Sequence, residues 1–251
     1  MLNPRPYLRE VSLKRAQVQS YEHYPFSIAA VRKLQSLRFH PDVTFIVGEN
    51  GCGKSTLLEA IATAWGFNPE GGTINFRFSS RASHSGLHEQ LRLVRSTRRP
   101  KDGFFLRAES FFNVATDIER RDGEPSNAPP VINSYGGRSL HEQSHGESFL
   151  ALLLHRFGGD GFYVLDEPEA ALSPTRQPAV LRRIHQLVQQ NSQFIIATHS
   201  PILMAYPAAK IFLLDETGFT EVGYQETEHY AVTKEFINDP CRMVREVLAE
   251  D

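Results

Sequence analysis

The sequence predicts an α/β fold built on a mostly parallel central sheet flanked by helices, and three observations carry that expectation. Four short apolar runs, 43–47 (VTFIV), 162–165 (FYVL), 194–197 (FIIA) and 211–214 (IFLL), are continuous rather than alternating, the pattern of strands buried on both faces. Helical patterns at 54–65, 147–157 and 175–190 are interspersed with them, and strand-helix alternation marks a parallel sheet covered by helices. Each apolar run also ends in polar residues: GENGCGKST after Val47, DEPE after Leu165, THS after Ala197 and DE after Leu214. Ligands in open parallel sheets bind at the carboxyl ends of the strands, so the polar groups gather where a ligand would sit.

The bulk numbers narrow the class. The chain has 251 residues, 41% hydrophobic and 22% charged, which is enough to bury one sizeable core. Its formal net charge of −2 does not advertise nucleic-acid binding and leaves only a local basic patch for that role. Two cysteines, Cys52 and Cys241, are too few for a disulfide framework and predict a reducing compartment. No apolar run reaches the roughly 18 to 20 residues of a membrane helix, and MLNPRPYLREVSLKR lacks the apolar core of a signal peptide. The expectation is a cytoplasmic protein with no membrane segment of its own.

The first motif follows the first strand. Gly48-Glu49-Asn50-Gly51-Cys52-Gly53-Lys54-Ser55-Thr56 fits G-x-x-x-x-G-K-[ST]. Its glycines let the backbone curl until successive N–H groups form an anion nest, and the next helix adds its positive N-terminal end. Lys54 reaches β- and γ-phosphates, and the Ser55 hydroxyl ligates Mg²⁺. Residues 49–56 are therefore the candidate nucleotide contacts. Cys52 fills a variable position of the loop.

The second motif is a strand ending in two carboxylates, Asp166-Glu167-Pro168. A phosphate loop needs a partner acid to hold Mg²⁺, and Asp166 suits that role. Glu167 beside it can orient or deprotonate a water. His199 ends the next strand, at the same sheet edge as Lys54 and Glu167, where it can donate to a γ-phosphate and sense its presence.

HEQSHGESF, residues 141–149, admits two readings. H-E-x-x-H binds zinc only when both histidines share one face of a continuous helix. Here Ser144-x-x-Glu147 is a capping box followed by Phe149, Leu150, Leu152, Leu153 and Leu154, which predicts a helix starting at Ser144. His141 then precedes the helix and His145 opens it, so no zinc is expected. The free N–H groups of that helix, with Ser144, Gly146 and Glu147 as candidate nucleotide contacts, offer a second phosphate site. Two sites for one γ-phosphate call for two chains, with Ser144 of one subunit closing head to tail over ATP held by Lys54 of the other.

Taken together these motifs resemble an ATP-binding-cassette ATPase domain over about residues 24–215. GENGCGKST resembles Walker A, SHGES the signature motif, FYVLDEPEAALS Walker B with the D-loop, and His199 the switch histidine. The GEN-G-x-GKST-LLEAIA pattern is similar to that of small free-standing bacterial ATPases of AAA/ABC-like type. The resemblance implies one domain over 1–251, with an N-terminal antiparallel β portion. It further implies a helical/insert subdomain at about 78–157, carrying the signature motif, and a C-terminal helical tail at about 227–251. It implies ATP, Mg²⁺ and an ATP-dependent homodimer. Against the usual LSGGQ, Gln143 replaces Leu, His145 the first Gly and Glu147 the Gln. No Q-loop glutamine is evident; Glu109 or Asn113 takes that place, with Glu109 a candidate metal ligand. Tyr24 or Phe26 is the candidate adenine-stacking aromatic.

Two roles follow. In the first, the protein is a soluble ATP-gated switch on nucleic acid or a partner protein, of repair or defence type. This rests on the signature departures and on the basic stretch 91–107, with Arg92, Arg95, Arg98, Arg99, Lys101 and Arg107; a solvated loop is the alternative. In the second it is the motor subunit of a membrane transporter. Residues 120–138, rich in Pro, Gly, Asn and Ser, read as a flexible loop. The tail from about Thr227 carries no assigned chemistry.

Overall fold

The computed structural model describes residues 6–74, 85–108, 111–125 and 129–249. Its centre is a six-stranded sheet in the order β5-β6-β7-β3-β8-β9. These strands are β3 (Val43–Val47), β5 (Asp102–Arg107), β6 (Gly161–Asp166), β7 (Gln193–Ala197), β8 (Lys210–Asp215) and β9 (Gly218–Val222). The first five are parallel and β9 returns antiparallel to β8. A second sheet, antiparallel in the order β2-β1-β4, is formed by β1 (Leu8–Leu13), β2 (Ser36–Arg38) and β4 (Leu91–Arg95). The mostly parallel sheet and the antiparallel N-terminal portion both match expectation.

The continuous apolar runs are explained by two cores. Along β3, Val43, Phe45 and Val47 enter one cluster while Ile46 enters the other. Along β6, Tyr163 and Leu165 divide in the same way from Phe162 and Val164. The alternation is present, but both faces are buried, so hydropathy shows no period of two. The second cluster lies between the two sheets and contains Leu57, Leu58 and Ile61 of helix α2 (Lys54–Trp65), which follows the short α1 (Ala29–Arg32). The first contains α3 (Phe111–Asp122), α4 (His145–Ala151) and α5 (Gln177–Gln189).

Two sequence expectations need correction. Residues 91–107, placed within the helical/insert subdomain and weighed as a solvated loop, instead form β4 and β5, one in each sheet. The reading from 120 as a flexible loop also fails at its start and middle. Helix α3 runs to Asp122, and the Asp122 carboxylate accepts from Val131 N–H at 2.6 Å and Ile132 N–H at 2.9 Å. An acidic side chain thus holds the 131–135 turn by a local, charge-assisted pairing that composition does not reveal.

The outer strand β5 is pinned by Asp102. Its carboxylate accepts from Arg156 Nη1 at 2.8 Å, Gly158 N–H at 2.9 Å and the Tyr163 hydroxyl at 2.8 Å. Burial acts to raise the Asp102 pKa, but the Arg156 charge and these hydrogen bonds outweigh it and hold the carboxyl below its ordinary 3.8. A lowered acid contributes stability above the unfolded value and loses it as pH falls through the folded value. Asp102→Ala leaves a half-buried Arg156 unpaired and is expected to cost about 2–4 kcal/mol at neutral pH. In urea unfolding, the gap between wild type and variant should shrink as pH drops below about 4. A gap independent of pH would show that the carboxylate charge is not what stabilises this edge.

Candidate P-loop nucleotide site

The loop between β3 and α2 is held open by three glycines with positive φ: Gly48 at 150°, Gly51 at 81° and Gly53 at 103°. At Gly48 a Cβ would stand 2.2 Å from the Leu214 carbonyl, so the loop is packed against the end of β8. Lys54, 4% exposed, donates from Nζ to the carbonyl oxygens of Gly48 (2.7 Å) and Glu49 (2.8 Å). The ammonium is thereby fixed over the loop mouth rather than reaching into solvent. Cys52 is half-buried with Sγ 3.9 Å from Lys54 Nζ.

Parallel pairing brings the second motif beside the first. Ser55 Oγ donates to Asp166 Oδ1 at 3.0 Å, although the residues lie 111 positions apart. Two hard oxygen donors side by side, beneath a glycine-curled loop, fit the ligand chemistry of Mg²⁺ and the anion chemistry of a triphosphate. Arg107, at the end of β5, forms an ion pair with Glu59 of α2 at 2.7 Å and lies 3.9 Å from Asp166 Oδ2. It thus ties the outer strand to both motifs.

Glu167 adopts a left-handed backbone, φ 50° and ψ 55°, rare for a residue with a Cβ. The turn sends the chain into the 168–171 segment, and Glu167 N–H donates to Ala197 O at 3.0 Å. Its carboxylate, 39% exposed, lies with Oε1 3.7 Å from His199 Nε2. The sequence-predicted Lys54, Ser55, Asp166, Glu167 and His199 therefore share one edge. Burial, reinforced by the Lys54 charge, lowers the His199 pKa, with Glu167 opposing. His199 is thus held neutral to more acidic pH than a free imidazole.

Other candidates divide. The Tyr24 hydroxyl lies 3.4 Å from Thr56 Oγ1, and the ring is 65% exposed at the loop's flank. Phe26 instead packs against the core between the sheets. Of the two, Tyr24 is the exposed one, beside the loop. Asn113 donates to Glu70 Oε2 at 3.2 Å. Glu109 lies outside the described residues. A cavity of about 620 Å³ opens behind the loop, bounded by 27–29, 48–52, 213–216, Glu228 and His229.

The SHGES segment folds as its pattern predicts: Ser144 is the N-cap of α4. Ser144 N–H and its hydroxyl both donate to Glu147 Oε2, at 3.1 and 2.8 Å. Those bonds, chiefly, lower the Glu147 pKa. At Gly146 a Cβ would stand 2.8 Å from the Ala171 carbonyl, so this glycine lets α4 approach the segment that follows Glu167. Among the described residues, the hydrogen bonds and ion pairs of Ser144 and Glu147 are with one another, with α4 and with Arg176, not with the chain's own phosphate loop. His141 lies in the turn before the helix, 3.2 Å from Thr116 Oγ1.

Two functional-edge residues were missed. Glu169 stands within DEPE; its Oε1 accepts the His199 backbone N–H at 2.5 Å, and burial raises its pKa. His229 comes from the C-terminal tail, and its Nε2 lies 2.9 Å from His199 Nδ1. Its position in a helix beyond the last strand gave no local signal.

Family comparisons agree with this geometry. A family model described as "AAA domain" matches residues 24–124, and one described as "AAA domain, putative AbiEii toxin, Type IV TA system" matches residues 131–205. An "Uncharacterized ABC transporter ATP-binding protein" of Haemophilus influenzae is 26% identical over 209 residues, covering 78% of this chain and 77% of the relative. "Thiamine import ATP-binding protein ThiQ" of a Ruegeria species is 25% identical over 183 residues, covering 70% and 78%. The solved ADP conformation of an ATP-binding cassette of an ABC transporter aligns with a TM-score of 0.47 at 18% identity, covering 86% and 92%. Together these matches make the chain similar to AAA/ABC-type P-loop ATPases, a family that binds ATP. Among the described residues no helix is long and apolar enough to cross a membrane.

Proposed function

We propose that the protein binds ATP with Mg²⁺, closes head to tail on a second copy, and reopens on hydrolysis to drive a partner. The observation that carries this reading is the 3.0 Å contact of Ser55 Oγ with Asp166 Oδ1, beside Glu167 and His199. In it, the loop amides and Lys54 bind the phosphates, and Ser55 and Asp166 hold the metal. When bound, Mg²⁺ offsets charge on the β- and γ-phosphates. Glu167 orients the attacking water, and His199 donates to the γ-phosphate. Tyr24 stacks on the base. Ser144 and Gly146 close over the partner's nucleotide, which requires the Ser144 hydroxyl to turn away from Glu147.

The partner reading with the better support is a membrane transporter, for which this chain would be the motor subunit. The relatives are named as a transporter's ATP-binding protein and a thiamine-import ATP-binding protein. The basic stretch that motivated a nucleic-acid role is largely engaged within the chain. Arg98 and Lys101 pair with Asp160, and Arg107 pairs with Glu59. Arg95 lies over the Trp65 ring at 4.5 Å. The second reading, a soluble switch on nucleic acid or a partner protein, is favoured by the toxin–antitoxin description of one matching family and by the departures from LSGGQ.

Steady-state ATP hydrolysis, measured alone, with duplex DNA across a salt series, and after affinity capture from membranes, separates these. Hydrolysis indifferent to DNA, with a copurifying membrane protein that stimulates it, is the expected result. DNA stimulation that fades with salt would favour the switch. No hydrolysis under any condition would overturn the ATPase reading.

A further inference from the structure

The switch histidine is held by a second histidine from the tail. Helix α7 (Glu228–Asn238) begins one residue before His229, capped by the Thr227 hydroxyl, which accepts from Tyr230 N–H. This start lays the His229 ring against that of His199, with centroids 5.0 Å apart. The Nδ1 of His199 and the Nε2 of His229 are 2.9 Å apart. Two neutral imidazoles at that distance share one proton, so one ring donates and the other accepts.

The surroundings decide which. His199 Nε2 and His229 Nδ1 are both buried and lack a hydrogen-bond partner among the described residues. If His199 donated from Nδ1, its bare Nε2 lone pair would face the Glu167 carboxylate at 3.7 Å. His229 would then carry its proton on Nδ1, as a buried N–H with nothing to accept it. If His229 donates from Nε2, His199 carries its proton on Nε2, toward the Glu167 carboxylate at 3.7 Å, and a bare lone pair is left on His229 Nδ1. Each arrangement leaves one N–H without a hydrogen bond, but the second points it at a carboxylate 3.7 Å away and so turns a repulsion into an attraction. The Lys54 charge opposes adding a proton to either ring.

We propose that His229 is a positioning residue: its Nε2–H donates to His199 Nδ1 and locks His199 in the tautomer whose Nε2–H faces Glu167 and the γ-phosphate position. Helix α7 thereby becomes part of the nucleotide-sensing edge. This rests on the reading of His199 given under Proposed function. A histidine in the wrong tautomer presents a lone pair where a donor is required, as triad variants illustrate.

The test has two independent readouts. In ¹⁵N-histidine NMR of the wild-type protein, His199 is expected as the Nε2–H tautomer; the Nδ1–H tautomer would overturn the proposal whatever the enzyme does. In kinetics, His229→Ala is expected to lower kcat by roughly 10-fold or more, the order seen for outer partners that fix a histidine's tautomer. KM for ATP should be little changed, and His229→Gln, whose amide N–H reaches the same acceptor, should recover most of the rate. A kcat for His229→Ala equal to wild type, while His199→Ala is impaired, overturns the positioning role alone. Wild-type protein that does not hydrolyse ATP overturns the proposed function, and the tautomer measurement still reads the pair.

Discussion

Glu167→Gln is expected to keep ATP affinity, lose turnover by roughly 10²–10⁴-fold, the usual worth of a positioned base, and accumulate as an ATP-bound dimer. The substitution preserves size and removes only the charge and basicity of a side chain presented by a left-handed turn, 3.7 Å from His199. The backbone turn and the Ser55–Asp166 contact do not depend on that charge: the Glu167 backbone N–H still bonds Ala197 O, and Ser55 and Asp166 still meet. Binding and closure should therefore survive while the water is no longer activated. Phosphate release at saturating ATP measures the loss, and light scattering with and without ATP measures the dimer. Normal hydrolysis by the variant would show that Glu167 is not the catalytic carboxylate.

Lys54→Ala is expected to abolish measurable ATP binding. The ammonium is almost fully buried and donates to two loop carbonyls, so it is both the loop's internal brace and the nearest cation to the phosphates. Each charge-assisted hydrogen bond contributes about 1.5–3 kcal/mol. Losing the phosphate contacts and loosening the brace together should weaken binding by well over 100-fold, at roughly 1.4 kcal/mol per factor of ten. Calorimetric titration with ATP gives the answer directly. Retained affinity would sink the phosphate-loop assignment. An accompanying drop in melting temperature would report the brace rather than the ligand.

The sequence by itself determined what depends on near neighbours. Val43–Val47 is a strand because four apolar residues and a buried Thr44 leave no face for water, and the loop after it curls because Gly48, Gly51 and Gly53 tolerate positive φ. The start of α4 at Ser144 was legible because a capping box is a four-residue signal, and it set aside the zinc reading of HEQSH at once. Asp166, Glu167 and His199 were legible because strand ends of a parallel sheet converge on one edge.

Tertiary structure alone decided the rest, because it depended on pairings across long stretches of chain. Residues 91–107 read as one basic run, yet β4 and β5 enter different sheets and several of their cations find Asp160, Glu59 and Trp65. No local pattern reveals which carboxylates will stand opposite. Tyr24 and Phe26 are two residues apart, and only packing turns one outward and the other into the core. His229 lies 30 positions beyond His199; its meaning arises only when α7 folds back and leaves one proton between two rings.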